Sequence, residues 1–347
     1  MIAILLIVLF ALFVFFALRA EQSLKSKKIA LILLFVMFCL VYLFKNNTYV
    51  PDVEYYLDYF KYIKSHNISS FYNFEKGYYY FNYFVNSLWE NKFSLLFAYA
   101  VVLSSGWIFL LQRYATGNLL LSAVLLMLSS FFSLFIMRQY IAIVICIFSL
   151  PYVFKRKLIP FLVLTFLAFT FHRTAVIWVF VYLFWAIRLN LRNVLLILSS
   201  ALLLMFISPH LIEFLLPYVR NLDVYSMTDK AYMSWKPFVI SLSMLAIVVM
   251  SYGAKFKDID NVSKVFFFMM LASCTLNLMN LVGTYFVAFY RVNYYFSFSG
   301  SILVPNALSK MRSKFMRYVI IAMLVIVYAF LFVSNVDSQG GRFGFII

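Results

Sequence analysis

Long apolar runs separated by short polar segments fill almost the whole chain. Such runs are typical of membrane-spanning helices, because about 20 apolar residues are needed to cross a hydrocarbon core of about 30 Å. We therefore predict an all-α polytopic bundle of about twelve transmembrane helices, forming a single integral membrane domain over residues 1–347. The predicted spans are 1–18, 29–44, 93–112, 118–137, 139–154, 158–171, 174–187, 194–208, 237–252, 265–285, 294–308 and 318–335.

The composition excludes an ordinary soluble domain. Hydrophobic residues make up 65% of the chain and charged residues 12%, whereas soluble domains average about 45–50% and about 25%. Cys39, Cys146 and Cys274 each lie within an apolar run, so we interpret them as buried hydrophobic residues. The net charge of +17 accompanies no platform or groove-reading motif for nucleic acid, which is therefore not an expected partner.

The basic residues are unevenly divided between the two sides of the predicted bundle. One side holds 17 of the 29 Lys and Arg residues but only 3 of the 12 acidic residues, and the positive-inside rule makes this side cytoplasmic. Its segments are 19–28, 113–117, 155–157, 188–193, 253–264 and 309–317. The opposite side then carries two long outward-facing segments, 45–92 and 209–236.

Ionisable residues at membrane depth cluster at the outward ends of the predicted helices. Arg138 lies between two spans, His172 and Arg173 divide residues 158–187 into two halves of 14 residues, and Arg291 follows the tenth span. Each half is about 21 Å long, too short to cross, so the tip between them should lie below the outer surface. Charged residues at membrane depth usually mark a functional site. A guanidinium group binds phosphate oxygens bidentately, although each Arg is also consistent with an anchor at a helix end.

The outward segment 45–92 adds carboxylates and aromatic side chains. From Pro51 to Lys64, apolar residues recur at helical spacing between charged ones, which predicts an amphipathic helix lying on the outer leaflet. Residues 74–89 are aromatic enough to enter the interface without spanning. Their Tyr and Phe side chains fit an interfacial aromatic belt or a surface that stacks against sugars. Asp52 is either a helix cap or a functional carboxylate.

Other motifs in the chain are weaker. Asp258 and Asp260 imitate the metal-binding pair of nucleotide-sugar transferases, but they lie in a short basic loop. His210 and Glu213 lack a third ligand. The sequence contains neither a phosphate-cradling glycine loop nor a nucleophile elbow, and we expect no metal.

Five fragments occur in a fixed order along the chain. They are Pro51-Asp52 with Tyr55 or Tyr56, then Glu75-Lys76-Gly77-Tyr78, Arg138-Gln139-Tyr140-Ile141-Ala142, Phe171-His172-Arg173-Thr174-Ala175, and finally Arg291 with Tyr295-Phe296. Together they resemble the EpsG family of Wzy-like polysaccharide polymerases over about residues 30–310. Two positions depart from the family pattern, which usually has Gly where Pro51 stands and Pro where Lys76 stands. Both neighbouring carboxylates are kept.

The resemblance implies an O-antigen polymerase or a close relative, a glycosyltransferase of the bacterial inner membrane that acts on its outward, periplasmic face. It would join undecaprenyl-diphosphate-linked oligosaccharide repeat units into O-antigen or a related surface polysaccharide. No cofactor is required, because diphosphate is already the leaving group and fixed guanidinium groups can stabilise it. Expected partners are the lipid-linked oligosaccharide, membrane lipid, a chain-length regulator and other polysaccharide-assembly proteins.

The residues expected to carry this chemistry fall into three groups. They are catalytic His172, Asp52 and Glu75, diphosphate-binding Arg138, Arg291 and Arg173, and substrate-binding Tyr55, Tyr56, Tyr78 and Tyr295. His172 is favoured as the base because the ordinary pKa of histidine lies near neutrality, with Asp52 or Glu75 as alternatives. Arg173 would assist the diphosphate or depress the pKa of its neighbour. The segment 209–236 is a candidate lid over the sugars or a loop that merely packs.

Three other functions stay open at this point. A lipid-linked oligosaccharide flippase would also use a cationic lining and about twelve spans, but it should carry charge through its whole depth and show two related halves. A membrane acyltransferase with His172 as base normally needs a cytoplasmic entrance, and the cytoplasmic loops here are short. A purely structural membrane subunit is the remaining alternative.

Overall fold

The computed structural model describes residues 2–20, 22–44, 51–64, 74–215, 235–253, 256, 259–279 and 287–338. Within these ranges every regular element is helical, which confirms the predicted all-α class. The chain divides into two compact units. The first unit comprises Met1–Val176 and Phe315–Ile347, and the second comprises Ile177–Lys314.

The first unit is built around a row of packed helices. Helix α2 packs on α1 and α5, α5 packs on α7, and α7 forms an antiparallel hairpin with α8, while α4 packs against both α5 and α8. The helices are α1 (Ile2–Leu18), α2 (Leu24–Phe44), α3 (Pro51–Lys61), α4 (Lys76–Leu88), α5 (Lys92–Tyr114), α6 (Leu119–Ser129), α7 (Met137–Phe154) and α8 (Leu158–Phe171). Short 3-10 helices follow α6 at Phe131–Leu134 and α8 at Arg173–Trp178.

The second unit is organised around one central helix, α12, which packs against the other helices of this unit. These are α9 (Val179–Phe184), α10 (Leu191–Leu215), α11 (Lys236–Tyr252), α12 (Asn261–Met279), α13 (Val287–Ser297) and α14 (Ser299–Leu308). Asn277 joins three of them, because it accepts a hydrogen bond from Asn293 at 2.8 Å and donates to Ser241 at 3.2 Å. Helix α15 (Lys314–Ser338) follows in the chain and belongs, from Phe315 onward, to the first unit.

Four described helices are long and apolar enough to cross a membrane, namely α2, α5, α7 and α12. They coincide with predicted spans 29–44, 93–112, 139–154 and 265–285. The chain is thus a membrane protein, while the total of about twelve spans stays a prediction. Among the described residues, three predicted spans are interrupted. The span 118–137 leaves the α-helix at Ser129, the span 174–187 is a 3-10 helix up to Trp178, and the span 294–308 is divided at Phe298.

Contacts between turns show that the first unit has a basic end. Lys27 Nζ donates to the carbonyl of Ala115 at 3.4 Å, and the ring centroids of Tyr114 and Phe154 are 5.4 Å apart. Three of the basic turns predicted to be cytoplasmic, 19–28, 113–117 and 155–157, therefore lie together. The opposite end holds the first residues of α4 and α7 and the last residues of α8.

Helix α3 forms where the amphipathic pattern predicts one, but protein covers its apolar face. The buried residues are Val53, Tyr56, Tyr59 and Phe60, together with Ile63 in the turn after the helix, and the helix packs on α4 and α5. The prediction that this face rests on the outer leaflet is therefore wrong, since its apolar stripe is already occupied. Because α3 begins at Pro51, Asp52 falls in its first turn, and the Asp52 side chain lies outside the described part of the structure.

Candidate functional site

Glu75 and Arg138 form a largely buried ion pair at the end of the first unit opposite the basic turns. Arg138 Nη1 donates to Glu75 Oε2 at 2.5 Å, and 19% of the Arg138 side chain and 14% of the Glu75 side chain are exposed. Arg138 is the second residue of α7, and Glu75 immediately precedes α4. Because both groups are largely shielded from water, loss of either one leaves the other as an uncompensated buried charge, which destabilises the fold.

The other carboxylate oxygen of Glu75 contacts the turn after α8. The backbone N–H of Arg173 donates to Glu75 Oε1 at 3.3 Å. Although Glu75 occupies the N-cap position of α4, its side chain makes no hydrogen bond to that helix. The carboxylate instead joins the start of α7 to the tip formed by His172 and Arg173.

An aromatic cluster of Tyr56, Tyr59, Phe74 and Tyr78 surrounds the guanidinium group. Arg138 Cζ lies 4.2 Å from the ring centroid of Phe74 and 5.9 Å from that of Tyr56, distances at which cation–π attraction operates. The ring of Phe74 in turn lies 4.5 Å from that of Tyr59 and 5.4 Å from that of Tyr78. Arg138 Nε is buried and has no hydrogen-bond partner among the described residues.

The phenol rings of Tyr56, Tyr59 and Tyr78 are buried around Arg138 and are not exposed for stacking against a sugar. Tyr78 is fully buried and Tyr56 nearly so, whereas Tyr55 is 44% exposed. Burial raises the pKa of Tyr59 and of Tyr78 above the ordinary value of a phenol. Both groups are therefore neutral at physiological pH and contribute no negative charge that would compete with an anionic ligand for Arg138.

The turn before α7 is held by hydrogen bonds from two other helices. Tyr42 and Ser133 hydroxyl oxygens are 2.7 Å apart, the Tyr99 hydroxyl donates to the carbonyl of Ser133, and Trp107 Nε1 donates to the Tyr42 hydroxyl at 3.0 Å. The Tyr99 bond takes the backbone carbonyl of Ser133, a group that a continuous α-helix would use itself, and it therefore favours the interruption of the predicted span 118–137. These bonds fix the chain four residues before Met137 and so position Arg138.

Sequence reasoning did not identify Tyr42, Tyr99, Ser133 and Trp107. A usable signal was present, since a tyrosine in the middle of a predicted span needs a partner for its hydroxyl. That partner could not be identified from sequence alone, because it lies on a distant segment.

His172 ends α8 at the same site. Its backbone N–H donates to the carbonyl of Ala168 at 3.0 Å, its Nδ1 lies 2.6 Å from Thr174 Oγ1, and it is 8% exposed. The adjacent Arg173 is exposed. The structure thus brings seven of the predicted residues together within one compact unit, namely Glu75, Arg138, His172 and Arg173, with Tyr55, Tyr56 and Tyr78 packed around Phe74.

Other predicted residues are placed elsewhere or lie outside the described residues. Arg291 and the fully buried Tyr295 belong to α13 of the second unit. Most of the candidate lid lies outside the described residues, including Tyr218, Tyr225 and Tyr232. The assignments to these positions stay predictions. Among the described residues, no group of three or more His, Cys, Asp or Glu side chains could hold a metal ion.

Comparison with known proteins gives a match to most of the chain. The model of the EpsG family matches residues 28–346, a range that includes every residue of the site described above. No curated protein and no solved structure matches the chain.

Proposed function

The chain belongs to the EpsG family of Wzy-like polysaccharide polymerases, and from this premise we propose that it polymerises undecaprenyl-diphosphate-linked oligosaccharide repeat units. The growing chain is the donor, and the terminal sugar of an incoming lipid-linked unit is the acceptor. The anomeric carbon–oxygen bond to the diphosphate breaks, and a bond from that carbon to the acceptor oxygen forms. The lipid diphosphate leaves with the electron pair.

The observation that supports this proposal is the buried Glu75–Arg138 pair beside the His172–Arg173 tip. A planar guanidinium in a largely dry site binds phosphate oxygens and stabilises the charge that develops on the leaving diphosphate. In the proposed site, Arg138 has this role. Arg173, exposed at the tip, assists from the solvent side. Arg291 keeps the diphosphate-binding role proposed for it from the sequence.

The acceptor hydroxyl must lose a proton, and we assign its removal to His172. A neutral imidazole accepts a proton near physiological pH. The contact of its Nδ1 with Thr174 at 2.6 Å fixes the orientation of the ring. Glu75 and Asp52 are the alternative bases. Tyr55, which is 44% exposed, is the proposed contact to the sugars, and Tyr56, Tyr78 and Tyr295 are the other tyrosines assigned to substrate binding.

The proposed site faces the periplasm, and the product is O-antigen or a related surface polysaccharide. The basic turns collect at the end of the first unit opposite the Glu75–Arg138 pair, and basic segments favour the cytoplasmic side. The carrier lipid, a chain-length regulator and other assembly proteins are the proposed partners.

The test uses purified full-length protein in nanodiscs with lipid-linked repeat units as the only substrate. We expect a ladder of lipid-linked products with two or more repeats, and one undecaprenyl diphosphate released for each bond formed. A protein that leaves the repeat unit unextended would refute the proposal. Movement of unextended units across a proteoliposome membrane would instead establish a flippase.

A further inference from the structure

We propose that the carboxylate of Glu75 competes with the diphosphate of the substrate for the guanidinium group of Arg138. In the absence of substrate the carboxylate neutralises the guanidinium, and on donor binding a diphosphate oxygen replaces it. After transfer, the returning carboxylate displaces the diphosphate product and so speeds its release. This inference rests on the proposed function and describes how the same site is occupied and reset.

Arg138 is held in place by groups other than Glu75. The ring of Phe74 lies 4.2 Å from its Cζ, and the turn before α7 is fixed by the bonds of Ser133 to Tyr42 and Tyr99. The guanidinium therefore keeps its position when the carboxylate leaves. Its buried Nε, which has no hydrogen-bond partner among the described residues, is a donor that a phosphate with several oxygens can use together with an Nη group.

Glu75 is also anchored at a second point. Its Oε1 accepts the backbone N–H of Arg173 at 3.3 Å, and that contact does not involve Arg138. Rotation about the side-chain bonds of Glu75 is enough to break the Oε2 contact, with no movement of α4 required. The exchange is thus a local change within a fixed framework.

Charge explains why the exchange must be competitive. Both members of the pair are more than four-fifths buried, and like charges repel strongly in such a poorly hydrated place. A diphosphate and the Glu75 carboxylate therefore cannot both contact Arg138 without a penalty. The diphosphate product carries one more ionisable oxygen than the glycosylated donor, so it would be held more tightly if no competitor were present.

The critical variant is Glu75→Gln, which keeps the size of the side chain and an acceptor for the Arg173 N–H but removes the charge. Binding of a polyprenyl diphosphate probe to the full-length protein in nanodiscs should become at least about tenfold tighter. Steady-state turnover should fall and follow a burst, because product release becomes limiting.

Glu90→Gln is the matched control. It breaks the exposed pair between Glu90 and Lys64, whose charged atoms are 3.2 Å apart, and should change neither probe affinity nor turnover. Probe binding to Glu75→Gln that is unchanged or weaker than to wild type would overturn the inference. A single-turnover rate that falls together with unchanged affinity would overturn it too and would make Glu75 the base.

Stability supplies a second measurement, because Glu75→Gln leaves Arg138 uncompensated. The polyprenyl diphosphate probe should raise the thermal unfolding temperature of the variant more than that of wild type, and an equal or smaller rise contradicts the proposal. Failure of the underlying function looks different. In that case wild type itself neither polymerises repeat units nor binds the probe.

Discussion

Gly77 lies so close to Thr170 that no side chain fits at position 77. A Cβ atom on Gly77 would lie 2.3 Å from Thr170 Oγ1 and 2.7 Å from the carbonyl oxygen of Thr170. This contact joins the first turn of α4 to the last turn of α8, the two elements that carry Glu75 and His172. Because Gly77 has no side chain, α4 and α8 can pack this closely, and their packing sets the distance between the Glu75 carboxylate and the His172 imidazole.

Gly77→Ala should lower both stability and activity. The added methyl group forces α4 and α8 apart, at a cost of about 1–3 kcal/mol for overpacking, and moves Glu75 away from Arg138. Thermal unfolding and the initial rate per folded molecule measure the two effects. Adding Thr170→Ala should not restore the rate, because the carbonyl oxygen at 2.7 Å remains.

Gly106→Ala is the control for this variant. Its Cβ would lie 2.5 Å from Val144 Cγ2, between α5 and α7 and away from the ion pair. We expect lower stability but an unchanged rate per folded molecule. If Gly77→Ala also polymerises at the wild-type rate, the close contact does not govern the site.

Arg138→Lys keeps the positive charge but loses the planar fork, so it should still cut polymerisation strongly if the diphosphate is held bidentately. Arg291→Ala should behave similarly. Arg113→Lys, at the basic end of the first unit, is the control and should be silent. The readout is initial rate with lipid-linked repeat units at matched membrane levels. Normal rates for both site variants would remove the diphosphate role.

His172→Ala should lower the polymerisation rate by about 10²–10⁴-fold, the usual contribution of general-base catalysis, with little change in membrane level or lipid binding. His172→Gln keeps size and hydrogen bonding with Thr174 but not basicity. If His172 only packs, His172→Gln should polymerise at nearly the wild-type rate. If His172 is the base, His172→Gln should be about as slow as His172→Ala. Near-normal turnover by the Gln variant would move the base to Glu75 or Asp52.

The sidedness of the bundle can be tested with single cysteines. His66→Cys and Tyr225→Cys should react with an impermeant thiol reagent applied to the periplasmic side, and Lys157→Cys should not. Cys146 and Cys274 are buried and should stay silent, and Cys39 is replaced by Ser as the background. Protection of His66→Cys together with labelling of Lys157→Cys would invert the topology and the site assignment.

The carboxylate of Asp260, which lies outside the membrane-spanning helices, should make the stability of the protein depend on pH. This carboxylate accepts hydrogen bonds from the backbone N–H and the hydroxyl of Ser263 at 2.9 Å and 2.8 Å, and these lower its pKa even though burial opposes them. A depressed folded-state pKa gives stability that is present above the unfolded pKa and lost as the pH falls through the folded one.

Acidification should therefore destabilise wild type more than Asp260→Asn, which keeps a capping acceptor but does not titrate. Asp260→Ala should lose about 1 kcal/mol already at neutral pH, because the cap of α12 is removed. Thermal unfolding is measured as the pH falls from about 6 through the unfolded-state pKa of an aspartate, about 3.9, and below it. Equal slopes for wild type and Asp260→Asn would show that the carboxylate does not contribute.

The sequence alone predicts that Arg138 and His172 lie at the same end of the hairpin formed by α7 and α8. Helices α7 and α8 are joined by a turn of three residues, 155–157, so the start of one must lie near the end of the other. The lengths of the apolar runs determine this arrangement. No long-range information is needed.

The ion partner of Arg138 could not be predicted in the same way. Glu75 is 63 residues away in the chain, and the pairing depends on the close packing of α4 on α8 at Gly77. The interruption before α7 likewise depends on hydroxyl groups of Tyr42 and Tyr99 from other helices. For α3, periodicity showed which face is buried but not whether lipid or protein covers it.

The chain order of the Glu75–Arg138 pair also bears on biogenesis. Synthesis proceeds from the N-terminus, so α4 and its carboxylate leave the ribosome before α7 does. An unpaired arginine is costly in an inserting helix, by about 2.5–3.5 kcal/mol at the helix centre, and Arg138 carries the smaller part of this cost that applies near a helix end. Because Glu75 is synthesised first, it can pair with Arg138 as α7 enters the bilayer. In a circular permutant that translates α7 before α4, Arg138 would reach the translocon without its ion partner.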